Sequence, residues 1–338
     1  MKAVGYYTPG PVTAEQSLVD LDLPVPKRGP RDLMVAVKAI SVNPVDTKVR
    51  RSATPPVGEA KILGWDAVGV VQETGKDVSL FKAGDEVFYA GSIARPGANA
   101  ELHLVDERIV GRKPKKLSNA EAAALPLTSI TAWELLFDRL GIARQGTKAE
   151  AGALLIIGGA GGVGSILIQL ARRMTDLTVI ATASRPETRD WCLELGAHYV
   201  VDHSKPLTEE MKTIGFAQVP YIASLTATDI HLSAILEIIA PQGKFALIDD
   251  PDCLDVMPFK RKAVSIHWEL MFTRSLFETP DMIEQHHLLN EVADLIDNGT
   301  LKTTLAEVVG PINAANLKTA HALIESGKAK GKLVLEGF

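Results

Sequence analysis

The chain has 338 residues, 46% of them hydrophobic and 23% charged, with a formal net charge of −5. That length predicts about two domains with substantial cores, and scattered rather than striped lysines and arginines exclude a nucleic-acid-binding field. No apolar run approaches the ~20 residues that span a bilayer, and MKAVGYYTPG lacks signal-peptide regions, so a cytoplasmic protein with a small-molecule partner is expected.

Along the chain, Leu33 to Ile40, Ala67 to Thr74, Glu86 to Ala90 and Glu101 to Val105 are short β-like runs. Turn chemistry at Glu73 to Asp77 and Lys82 to Asp85 separates them, and prolines mark surface loops at Pro24 to Pro30 and Pro55 to Gly58. This part reads as a mostly-β domain. Then Leu154 to Gly164, LLIIGGAGGVG, runs from a strand through a glycine turn into the apolar segment Ile166 to Met174. After it, Thr178 to Ala183, His198 to Val201, Val219 to Ser224 and Lys244 to Asp249 read as strands. Glu187 to Leu195 and Ile230 to Ile239 read as the helices among them. This alternation predicts an α/β fold, a doubly wound parallel sheet of Rossmann type. Beyond about Trp268 the rhythm ends. Helices over Asp281 to Asn298 and Ile312 to Glu325 precede a last strand, Lys332 to Leu335, and the tail is expected to fold back onto the first domain.

Gly159, Gly161 and Gly164 fit G-x-G-x-x-G, which turns tightly, brings backbone up to a pyrophosphate, and packs helix against strand. Gly162 and Val163 complete the helix N-terminus, whose amides and partial positive charge favour an anion. In NAD-specific folds an acid about twenty residues later binds the ribose 2′-hydroxyl. Here the strand ends in Ser184 and Arg185, with Arg189 one turn on, a pattern suited to a 2′-phosphate and hence to NADPH. The alternative is that the two arginines are a solvated helix start. Cys192 and Cys253 lie far apart without a CxxC and read as reduced thiols of no special role.

LGWDAVGVV at Leu63 to Val71, FKAGDEVFYAG at Phe81 to Gly91, AAALPLTSITAWELL at Ala122 to Leu136 and the glycine motif together carry a family likeness. The chain resembles the medium-chain dehydrogenase/reductase superfamily in its zinc-free quinone oxidoreductase-like and enoyl-reductase-like branch, and more closely a bacterial group labelled zinc-type alcohol dehydrogenase-like. The resemblance implies a GroES-like catalytic domain over 1–126, a Rossmann NADP-binding domain over 127–268, a C-terminal segment 269–338 returning to the catalytic domain, a cleft between the domains, and a homodimer.

It also locates the places where zinc would sit. In zinc-using relatives a Cys stands in the segment matching Ser41 to Asp46, and a His-Glu pair stands where this chain has Trp65 and Asp66. The segment Gly91 to Ala100 replaces a four-cysteine structural lobe. Adjacent His286 and His287 point in different directions, so no metal ligands are assigned and no zinc is expected.

The resemblance further matches an N-x-x-D-x-Y pattern beside the nicotinamide to Asn43, Asp46 and Lys48, with the tyrosine replaced by lysine. Lys48 is a candidate charged donor to a substrate oxygen, or a solvated side chain. Asp46 either takes part or orients the loop. Thr131, with Thr128 one turn earlier, matches a threonine facing the nicotinamide, or else bonds its own helix backbone. Ser224, Thr226 and Ile248 end strands of the sheet, where ligands bind. Lys332 matches a lysine near the cofactor phosphates. Trp65 and Tyr89 are candidate substrate-pocket walls, although large aromatics more often belong to the core. The leading expectation is an NADPH-dependent, zinc-independent reductase of quinones or α,β-unsaturated carbonyls. An alcohol or carbonyl oxidoreductase is the second reading, and a non-catalytic NADPH-binding sensor the third.

Overall fold

A computed structural model describes residues 1–145 and 152–338. They divide into two compact units, Met1–Ile130 with Phe272–Phe338, and Thr131–Met271.

The first unit is built on strands β1 (Lys2–Tyr6), β2 (Val19–Asp22), β3 (Asp32–Val42), β4 (Lys61–Ile62), β5 (Ala67–Thr74), β6 (Glu86–Tyr89), β7 (Leu102–Asp106) and β8 (Val110–Arg112). Helix α1 (Pro44–Ser52) leaves the end of β3, and α2 (Asn119–Ala123) and α3 (Pro126–Trp133) follow β8. Local chemistry starts α1: Pro44 fixes φ at the first helical position, and Asp46 three residues after Asn43 takes back the Asn43 amide at 2.8 Å. The long β3 is buried on both faces along much of its length and pairs antiparallel with β5 and β7.

The second unit holds β9 (Ala153–Ile157), α4 (Gly162–Met174), β10 (Thr178–Thr182), α5 (Pro186–Glu194), β11 (Tyr199–Val201), α6 (Leu207–Thr213), β12 (Val219–Ser224), α7 (Thr228–Ile238), β13 (Ile239–Leu247) and β14 (Ser265–Trp268). The six strands run β11-β10-β9-β12-β13-β14, all parallel. Helices cover a parallel sheet on both faces, so central β9 is apolar and buried throughout. Leu155, Ile180, Ile222, Ile235, Phe245 and Phe259 share its core. A π-helical turn, Glu134–Arg139, precedes the sheet, closed by Leu140 N–H donating to Leu135 O at 2.9 Å.

The chain then returns to the first unit with α8 (Thr273–Phe277), α9 (Glu284–Asp297), β15 (Leu305–Gly310), α10 (Ala314–Glu325) and β16 (Lys332–Glu336). β16 lies antiparallel on β3, with Leu333 opposite Val42, and completes a seven-stranded sheet. Sequence periodicity does not reveal β1, β2, β14, β15 or α6. These elements are four to seven residues long, too short for a stable period to emerge.

Candidate functional site

In the second unit the glycine turn connects β9 to α4, and each glycine answers a different demand. The left-handed turn belongs to Gly158 (φ +88°), one residue before the expected motif. A Cβ on Gly159 would lie 2.7 Å from Ala181 Cβ, and one on Gly164 only 2.4 Å from Gly158 O, so both are packing glycines. A Cβ on Gly161 would meet no heavy atom nearer than 3.6 Å. Gly161 therefore has no packing reason to lack a side chain, which fits close approach of a ligand. The first-turn amides of Gly162, Val163 and Gly164 precede the first closed helical bond, Ser165 N–H to Gly161 O at 2.9 Å.

The neighbouring strand ends gather around this turn. Gly158 N–H donates to Thr182 Oγ1 at 3.1 Å, and a Cβ on Gly158 would be 3.0 Å from Thr226 Cγ2. Leu225 N–H donates to Ile157 O at 3.1 Å, and Ile248 N–H to Ser224 O at 3.2 Å. Thr226 and Ser184 are exposed and Ile248 half-buried. Ser224 is not available as a side-chain ligand: it is buried, with its hydroxyl 2.8 Å from that of Thr228. Arg185 caps the start of α5 and pairs with Glu187 at 3.2 Å, its side chain 38% exposed. Arg189 is directed elsewhere, giving one guanidinium N–H to Val200 O at 2.6 Å. Thr131 and Thr128 are both buried, and Thr128 bonds back to Leu125 O at 3.1 Å.

In the first unit, a buried polar cluster forms where β3 hands over to α1. Asp46 accepts Asn43 N–H at 2.8 Å and Gly64 N–H at 2.9 Å. Asn43 Nδ2 donates to Asp66 Oδ2 at 2.8 Å. Lys332 Nζ donates to Val42 O at 3.1 Å, to Asp66 Oδ2 at 2.9 Å and to Asn43 Oδ1. The other Asp66 oxygen accepts Leu127 N–H at 2.7 Å, in the first turn of α3. Burial pushes the Asp46 carboxyl up to about 7 against the pull of its two amides and Lys332. Burial also raises Asp66, with Lys332 opposing.

This cluster corrects several expectations. Lys332 is buried with its ammonium committed to three protein oxygens, so it is not a phosphate contact. Asn43 and Asp46 are buried and bonded to one another and to the loop, which makes them orienting residues. Lys48 lies on the exposed face of the same helix. Trp65 and Tyr89 are core residues rather than pocket walls. The Trp65 indole donates to Ser92 O at 3.2 Å and meets Phe272 edge-on. Tyr89 is stacked on His103 and hydrogen-bonded to it. Asp66 was missed as a structural partner, although an acid inside the apolar run LGWDAVGVV signals one, since a buried carboxylate persists only when paired.

The place where zinc-using relatives carry their ligands does not suit the metal. Zinc takes thiolate and imidazole above all, whereas this place presents amide, carboxylate and a lysine ammonium. Both Asp66 oxygens are already engaged. Among the described residues no group of three or more His, Cys, Asp and Glu is placed to hold a metal ion. No helix of the described residues is long and apolar enough to cross a membrane.

Two family models match: an alcohol dehydrogenase GroES-like domain over residues 29–115 and a zinc-binding dehydrogenase over residues 195–335. A zinc-type alcohol dehydrogenase-like protein of Staphylococcus aureus is 42% identical over 305 residues, 90% of each chain. A crystal structure from Rhizobium etli, provisionally described as a zinc-dependent alcohol dehydrogenase, is 62% identical with a TM-score of 0.96, covering 100% of this chain and 98% of that one. More distant are a quinone-oxidoreductase homolog of spinach, 28% identical over 99% of this chain and 98% of its own length, and a tomato 2-methylene-furan-3-one reductase, 34% identical over 62% of this chain and 54% of its own. With its parallel nucleotide-type sheet and GroES-like unit, the chain belongs to the quinone oxidoreductase-like branch of the medium-chain dehydrogenase/reductase superfamily and is an oxidoreductase of that type.

Proposed function

We propose that the protein is an NADPH-dependent, zinc-independent reductase that delivers hydride to a quinone or to the β-carbon of an α,β-unsaturated carbonyl. The observation that carries this reading is the glycine turn, in which Gly161 leaves open the space a side chain would fill, beside a β10 end that offers Ser184 and Arg185 instead of an acid. When bound, NADPH supplies the hydride. The amides of Gly162, Val163 and Gly164 meet pyrophosphate charge, and Arg185 with Ser184 meets the 2′-phosphate by charge-assisted bonds.

On the substrate side, charge developing on a carbonyl or quinone oxygen needs a donor, and Lys48 on α1 is assigned that role. The spinach and tomato relatives, named for a quinone and an enone, support the acceptor class. A cytoplasmic homodimer accompanies the reading as a family expectation. The test is NADPH and NADH oxidation by metal-free protein against quinones, enones and saturated aldehydes, with product identification. Quinol or saturated carbonyl is the expected product, and Lys48→Ala lowers kcat about 10²- to 10³-fold, the range for removing one donor to a developing oxyanion. Turnover of aldehydes alone, appearing only when zinc is restored, overturns the reading.

A further inference from the structure

We propose that the Lys332 ammonium is the resident cation at the place where zinc-using relatives hold their metal, and that it acts as a positioning residue for the segment leading into α1. The inference rests on the oxidoreductase reading above. It follows from register: Leu333 sits opposite Val42, so the first residue of β16 arrives beside the last turn of chain before α1. There the three ammonium protons meet three acceptors, Val42 O, Asn43 Oδ1 and Asp66 Oδ2. The lysine side chain is 3% exposed and that of Asp66 fully buried, and such a pair is tolerated only when its hydrogen bonding is complete.

The cluster spans four separated segments. Lys332 fixes the Asn43 carbonyl, Asn43 gives its amide to Asp66, Asp66 caps the first turn of α3 through Leu127, and Asp46 joins Asn43 to Gly64. A divalent ion entering here would face the lysine charge and would have to displace donors from Asp66. The zinc carried in the relatives' names therefore does not extend to this chain. The positioning role also separates Lys332 from a cofactor-phosphate contact: its loss disturbs α1, which bears Lys48, and leaves the glycine turn untouched.

The test combines metal analysis of the protein after dialysis against excess zinc with Lys332→Met and the charge-neutral pair Asp66→Asn/Lys332→Met. The double variant keeps the comparison available if the single one does not fold. Wild-type protein should retain well under one zinc per chain. Removing Lys332 should lower kcat on the order of 10²-fold, the scale of an ångström-sized misplacement, with the NADPH Kd changed less than about twofold, because the glycine turn is left intact. It should also accelerate amide hydrogen exchange over residues 43–50, a readout independent of turnover. One tightly held zinc per chain, unchanged exchange in α1, or a weakened NADPH Kd with normal kcat each overturns the proposal. If wild-type protein reduces no acceptor, the reductase reading fails, while zinc content, exchange and cofactor affinity still decide this one.

Discussion

His103 accepts the Tyr89 hydroxyl at Nδ1, 3.1 Å away, while its Nε2 lies 2.9 Å from Pro96 O. A carbonyl only accepts, so Nε2 carries the proton, and because burial keeps the ring neutral Nδ1 is left as the acceptor for the Tyr89 hydroxyl. Burial holds this histidine at about 4, below the unfolded value near 6.5. The unfolded chain therefore binds more protons between about pH 6.5 and 4, and stability is lost as pH falls through that window. Tyr89→Phe orphans Nδ1 and should cost about 1–3 kcal/mol, read as a lower urea midpoint with unchanged cofactor affinity. His103→Gln keeps a donor and an acceptor but does not titrate, so its acid destabilisation should be shallower than wild type by up to about 1.4 kcal/mol per pH unit.

A second titration runs in the opposite sense. Glu134 and Glu269 are both buried, with Arg139 Nε 2.7 Å from Glu269 and its Nη2 3.8 Å from Glu134. Burial first, and then the Glu134 charge, raise Glu269 well above the carboxylate range. The folded state keeps a proton that the unfolded chain has released, so this group's contribution is lost as pH rises above the unfolded value toward the folded one. Thermal melts from pH 6 upward should show Glu269→Gln losing less stability than wild type. Parallel curves would contradict the proton retained on Glu269.

The glycine turn separates packing from binding in two substitutions. Gly164→Ala places a Cβ 2.4 Å from Gly158 O, and the overpacking should destabilise the protein by about 1–3 kcal/mol. Gly161→Ala has room in the protein and an extended backbone, φ −72° and ψ 177°. It should keep the wild-type melting temperature yet weaken NADPH binding about tenfold, measured by cofactor fluorescence; about 1.4 kcal/mol of lost contact suffices. Equal affinity would remove the pyrophosphate from this turn.

Cofactor choice is tested at Arg185, partly exposed at the head of α5 with Glu187 beside it. A charge-assisted bond contributes about 1.5–3 kcal/mol. Arg185→Ala should therefore raise the KM for NADPH tenfold or more and leave that for NADH nearly unchanged. Parallel changes for the two cofactors would reject the 2′-phosphate contact.

What the sequence determined by itself was local. The run Leu154 to Gly164 specifies strand, turn and helix because each glycine answers a backbone demand within a few residues, whereas the segment after Asn43 reads as a loop in the sequence and is a helix in the structure. Tertiary structure alone decided partners. Nothing near Lys332 in the sequence indicates that its ammonium ends beside Asp66, 266 residues away, because the pairing of β16 on β3 sets that meeting. Tyr89 and Trp65 became core for the same reason: an aromatic ring in a short strand serves wall or core equally well until neighbouring strands fix which face is covered.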